Sequence, residues 1–222
     1  MVDLCIQIIV GIVAGVISSF VFWLFSFKRT GVKIHFADKI AEYHYEDEEE
    51  PIRYRIKFAN IGNHDLLDCR CICHIKISLP TGVNGEYRKN LADLNLGVGG
   101  YALVIRGNKS SKKDGKVYAK FHTICMTPDA MEEYARPVYS ERIREKAKAG
   151  TLKVWDVIQE YKGSFRLMFY IIGTDPMNGR IIVKNSKEYS YDDIELGEYV
   201  GVTEGGRGKD FLKKGFRIEN YH

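Results

Sequence analysis

The chain has 222 residues, of which 45% are hydrophobic and 28% charged, with a formal charge of +4. Those averages are ordinary for one folded domain and exclude a disordered chain, a collagen-like fibre and a polytopic membrane protein. They conceal one uncharged run of 24 residues, 4–27, followed at once by Lys28 and Arg29. As a helix this run reaches ~36 Å, more than the ~30 Å hydrocarbon core of a bilayer. A cleaved signal peptide would need a basic leader and a small-residue cleavage site. Here the leader is Met1-Val2-Asp3 and the run ends in Phe22-Trp23-Leu24-Phe25. The expectation is an uncleaved transmembrane helix and basic stop over residues 1–29. Lys28, Arg29 and Lys33 flank only its C-terminal end, which places the N-terminus outside and the remainder in the cytoplasm.

The span is not uniformly apolar. With Gln7 at zero on a wheel of 100° per residue, Gly11 falls at about 40°, Ala14 at about −20° and Ser18 at about 20°. Gly15 and Ser19 flank this stripe, and Gly11-Ile12-Val13-Ala14-Gly15 is a small-xxx-small pattern that lets helices approach closely. Self-association gives Gln7 and Ser18 a better environment than hydrocarbon. The competing reading is that small residues are common in anchors and that Gln7 is hydrated at the outer interface. If four or more copies gather, the same stripe lines a pore, and the absence of any charged ring within the span makes that pore poorly selective.

Residues 30–200 read as a soluble module. Alternation in Val32-Lys33-Ile34-His35-Phe36, in Tyr54-Arg55-Ile56-Lys57-Phe58 and over residues 69–77 predicts strands. An acidic stretch, Glu46-Asp47-Glu48-Glu49-Glu50-Pro51, predicts a solvated loop. Further strands are predicted over residues 101–105, 117–126, 165–172 and 181–183, separated by turn residues. Short strands at this density predict an antiparallel β-sandwich, so the fold class expected is mainly β, with one transmembrane helix and a helical insertion. The insertion spans about residues 128–161. Thr127-Pro128 supplies an N-cap and a first-turn proline, Pro137 interrupts the helix, and Gly150 ends it. The segment 192–222 is rich in glycine and charge and is expected to have partial order at best, with 201–222 as a charged Gly-rich tail.

The chemistry-bearing residues form no recognisable enzyme motif. Cys69, Cys71 and Cys73 alternate on one strand, which suits a half-buried core row better than tetrahedral metal ligands. His64-Asp65 falls at a turn and is expected on the surface. No G-x-S-x-G, P-loop or H-E-x-x-H is present, so no enzyme activity, cofactor or metal is expected. Among basic clusters, Lys109, Lys112 and Lys113 are the best candidates for an anionic ligand, because no acid precedes Asp114. The clusters at residues 142–148 and 209–214 are read first as solvated surface.

The order of an uncharged helix, a basic stop and a strand-rich module resembles the membrane effectors of bacterial antiphage defence operons. More narrowly, four segments resemble the membrane subunits of Hailong defence systems. They are Gly11-Ile12-Val13-Ala14-Gly15-Val16-Ile17-Ser18-Ser19; Tyr54-Arg55-Ile56-Lys57-Phe58 with Asn60 and Gly62; Phe121-His122-Thr123-Ile124-Cys125; and Gly163-Ser164-Phe165-Arg166-Leu167 through Gly173-Thr174-Asp175. The resemblance implies a homo-oligomeric channel in the inner membrane, gated through its cytoplasmic domain by a nucleotidyltransferase-like partner and that partner's single-stranded DNA oligomer product. It assigns no ligand contacts residue by residue. The alternative expectation is a membrane-tethered adaptor or binding module without a pore.

Overall fold

A computed structural model describes residues 2–28, 31–45, 52–81, 86–98, 102–105, 119–200 and 216–219. The chain begins with a 27-residue helix, α1 (Val2–Lys28). Within it Ile6–Leu24 is long and apolar enough to cross a membrane, and none of that stretch is buried within the protein. The remainder is mainly strand. The acidic residues 46–51 and most of the tail, 201–215 and 220–222, lie outside the described residues.

Twelve strands are described: β1 (Ile34–Phe36), β2 (Ile40–His44), β3 (Ile52–Asn60), β4 (Leu66–Thr81), β5 (Glu86–Val98), β6 (Ala102–Ile105), β7 (Ala119–Cys125), β8 (Phe165–Asp175), β9 (Arg180–Asn185), β10 (Ile194–Leu196), β11 (Glu198–Tyr199) and β12 (Ile218–Glu219). Ten form one curled sheet in the order β10-β2-β3-β7-β5-β4-β8-β9, with β1 also on β3 and β6 also on β4. The long strand β5 joins its two halves: Cys73 to Thr81 of β4 pair with its first part, while Gly97 and Val98 pair with Cys125 and Ile124 of β7. Pairing is antiparallel throughout this sheet except between β10 and β2, where Ile194 faces Ile40 in parallel register. The parallel pair was not expected from the sequence, because two three-to-five-residue runs so far apart leave no local signature.

The core follows from alternation. β8 buries Phe165, Leu167, Phe169 and Ile171 on one face, and β4 buries Cys69, Cys73, Ile75 and Ile77 against them. These meet Tyr54, Ile56 and Phe58 of β3, so both halves of the sheet share a single apolar core. Cys69 and Cys73 are buried and Cys71 is half-buried, a core row as the spacing predicts. Burial pushes the Cys71 thiol up to about 12.

The insertion forms three short helices, α2 (Pro128–Tyr134), α3 (Glu141–Lys148) and α4 (Val154–Glu160). Thr127 caps α2, its side chain accepting the Ala130 N–H at 3.2 Å, with Pro128 in the first turn. Tyr134, Ile143, Leu152, Val157 and Ile158 are fully buried and join the common core. Two members of the basic cluster on α3, both partly exposed, pair with carboxylates of the domain. Lys146 and Arg142 both reach the buried Asp156 carboxylate, and Arg142 also reaches Glu160 at 3.7 Å.

Two elements differ from the sequence reading. The strand β5 covers residues to which the sequence reading assigns no strand, although Ala92, Leu94, Leu96 and Val98 alternate along its second half; its first half, residues 86–90, is almost wholly polar. The end of the chain also returns to the fold: Ile218 of β12 pairs with Tyr199 of β11, and both are buried. That docking explains Lys57. Alternation on β3 puts Lys57 on the outer face, yet it is only 3% exposed because the returning segment covers it.

Candidate functional site

The sequence singled out Gln7, Gly11, Ala14, Gly15 and Ser18 on α1. All five stand exposed on a helix whose described residues make no buried contact with the domain. A Cβ added to Gly11 or Gly15 would meet nothing within 4 Å. The face that carries the small residues is therefore open to another helix. Lys109, Lys112 and Lys113 lie outside the described residues.

The first described residues after α1, 31–33, are packed tightly on the domain. Residues 31–33 run beside the turn joining β3 to β4, and Asn60 is its hub. Its buried Oδ1 accepts the N–H groups of Lys33 at 3.2 Å and Gly62 at 3.0 Å, while its Nδ2 donates to the His64 carbonyl at 2.7 Å. The Ile61 N–H donates to the Lys33 carbonyl at 2.7 Å. A Cβ on Gly62 would stand 2.2 Å from the Gly31 carbonyl oxygen and 2.5 Å from the Lys33 nitrogen. Only glycine permits this approach.

His64 extends the junction to a second turn, contrary to its expected surface position beside Asp65. Its Nδ1 lies 2.9 Å from Asp175 Oδ2, with the two side chains 11% and 2% exposed. Asp175 in turn shapes the β8–β9 hairpin. It accepts the Met177 N–H at 3.0 Å, and its carbonyl accepts the Gly179 N–H at 2.8 Å. Gly179, at φ +67°, supplies the left-handed residue that closes the turn. The sequence contained the turn residues but not the pairing, which joins positions 111 apart.

Two further features lie on the β1–β3 side. Lys57 places its ammonium 2.9 Å from the Val200 carbonyl and within 6 Å of the Tyr199 and Phe216 rings (5.7 and 5.8 Å). No carboxylate among the described residues pairs with it, and burial pulls its pKa below the ordinary lysine value. Nearby, a cleft of about 660 Å³ is lined by Asp38, Lys39, Glu195, Phe216, Arg217 and Glu219, among others. Its mixed charge suits a polar ligand, and its lining supplies no nucleophile beside a base of the kind acyl transfer requires. On the β2–β3 surface, the Arg55 guanidinium lies 4.5 Å over the Tyr43 ring and Arg53 4.6 Å over Tyr45. Among the described residues, no group of three or more His, Cys, Asp or Glu is placed to hold a metal ion.

No protein-family model matches the chain, and a search of curated proteins finds no match.

Proposed function

We propose that the protein is a homo-oligomeric membrane effector of bacterial antiphage defence. In this reading α1 spans the inner membrane with its N-terminus outside. Several copies, at least four for an enclosed pore, bring their Gly11, Ala14 and Ser18 faces together. The cytoplasmic module, read as a β-sandwich made from the two halves of the curled sheet, sets how those helices pack. The controlling signal is a nucleotidyltransferase-like partner or its single-stranded DNA oligomer product. Half-buried Tyr43 and Tyr45, stacked with Arg55 and Arg53, combine aromatic and cationic groups of the kind that contact such a strand.

The observation that carries this reading is the small-residue face of α1, which the chain itself leaves uncovered. A plain anchor needs only apolar side chains, whereas close helix contact needs small ones. Gating follows if the signal prefers one arrangement of the domains; moving the equilibrium from 1:99 to 99:1 takes a preference of about 5.5 kcal/mol.

The test is ion flux from liposomes holding the purified protein, alone and with short single-stranded DNA or the partner. Gly11→Leu and Ser18→Leu should abolish or alter flux. Absence of conductance under every condition refutes the pore. The mixed-charge cleft is the observation behind the second reading, a tethered adaptor, because none of its lining residues comes from α1. Replacing residues 4–27 with an unrelated anchor separates the two, since an adaptor keeps its activity and a channel loses it.

A further inference from the structure

Outside α1, the two most exposed large apolar side chains among the described residues are Ile181 (73%) and Met177 (70%). They belong to one hairpin turn. Met177 is at the tip between β8 and β9, and Ile181 sits one rung behind it, opposite Thr174. Isolated exposed apolar residues need no explanation. These two lie four residues apart on one hairpin, whose turn is fixed by the Asp175 hydrogen bond to the Met177 N–H and by Gly179.

Their position in the fold gives them a meaning. Gly31 follows Lys28 by three residues, so the chain can separate the two by only about 11 Å. Gly31 is packed on Gly62, the Gly62 turn is held by Asn60, and His64 of that turn grips Asp175, two residues before Met177. The hairpin tip therefore belongs to the end of the sheet at which α1 arrives. The helical insertion is at the other end, because β8 runs from Phe165 to Asp175 across about 33 Å. Arg180, beside the tip, and Lys33, five residues after Lys28, are both exposed cations on this end of the sheet.

We propose that the β8–β9 hairpin tip, with Met177 and Ile181 as its apolar contacts and Arg180 as its phosphate contact, is a second membrane-binding surface that seats the domain against the bilayer beside the α1 exit. The occupant is the lipid interface. The proposal rests on α1 being a transmembrane helix.

The test uses the full chain in liposomes containing anionic phospholipid. In a background with Cys5 and Cys125 replaced by serine, an environment-sensitive fluorophore is attached at Met177→Cys, at Val13→Cys in the span, and at Lys148→Cys at the far end of the domain. Met177 and Lys148 are exposed, so neither substitution disturbs packing. The label at position 177 should show blue-shifted emission and be quenched by lipid carrying a nitroxide just below the head group, while the label at 148 shows neither. If 13 is quenched but 177 behaves like 148, the hairpin contact is refuted and the span stands. If 13 is not quenched either, the transmembrane reading fails and takes this proposal with it.

Discussion

Replacing Gly62 with alanine tests whether the junction between α1 and the sheet is as tight as its geometry implies. The new Cβ would stand 2.2 Å from the Gly31 carbonyl oxygen and 2.5 Å from the Lys33 nitrogen. Carbon and oxygen approach to about 3.3 Å in favourable contacts, so residues 31–33 must retreat by roughly 1 Å. Both obstructing atoms are backbone, and that backbone is held by the Ile61–Lys33 and Lys33–Asn60 hydrogen bonds. Losing those two costs about 0.5–1.5 kcal/mol each, and overpacking adds about 1–3 kcal/mol. The expected destabilisation is about 2–6 kcal/mol, or roughly 2–4 °C in Tm for each kcal/mol in a chain of this size. Gly163→Ala is the control, because its Cβ would meet nothing within 4 Å; stabilisation by up to about 1 kcal/mol is expected there. Urea unfolding of the detergent-solubilised chain, followed by Trp155 fluorescence in a Trp23→Phe background, reads both. A Gly62→Ala protein within about 0.5 kcal/mol of its parent, a change typical of an unconstrained surface site, would refute the close approach.

Lys57→Met removes a buried charge while keeping the chain's length. The folded-state pKa of Lys57 lies below its unfolded value, so the unfolded state binds more protons between the two and wild-type stability rises with pH across that window. The stability difference between Lys57→Met and wild type should shrink as pH rises toward about 10.4, the ordinary lysine value; a difference that is flat with pH sinks the assignment. Asp156→Ala removes the acceptor of the Lys153 N–H at the start of α4 along with the partner of Lys146 and Arg142. A loss of about 1–2 kcal/mol from the cap is expected, with little added by the partly exposed cations, and trypsin should cleave within α3 faster. A maleimide at pH 8 should label Cys125 first among the four cysteines of the domain, since Cys125 is exposed while burial raises the thiol pKa of both Cys71 and Cys73. Labelling of Cys73 at a comparable rate in the native protein would contradict its burial.

Much of the local structure was legible in the residues themselves. A 24-residue uncharged run, the alternation through Phe165, Leu167, Phe169 and Ile171, and Thr127-Pro128 before a helix each act through neighbours in the chain, and periodicity records such neighbours directly. The same holds for the stripe on α1, whose members are grouped by helical geometry alone. Positions decided by distant segments were not legible. His64 looks like a turn residue until Asp175, 111 positions away, is folded against it. Lys57 sits on the polar phase of its strand and is buried only because residues 216–219 come back over it. The first half of β5, residues 86–90, carries no apolar alternation and is held as a strand by its pairing with β4. A membrane-length helix, its small-residue face and a strand-rich domain can be read from neighbours along the chain. The packing of Gly31 on Gly62 and the link from His64 to Asp175 cannot, because contacts between residues far apart in sequence depend on the path of the whole chain.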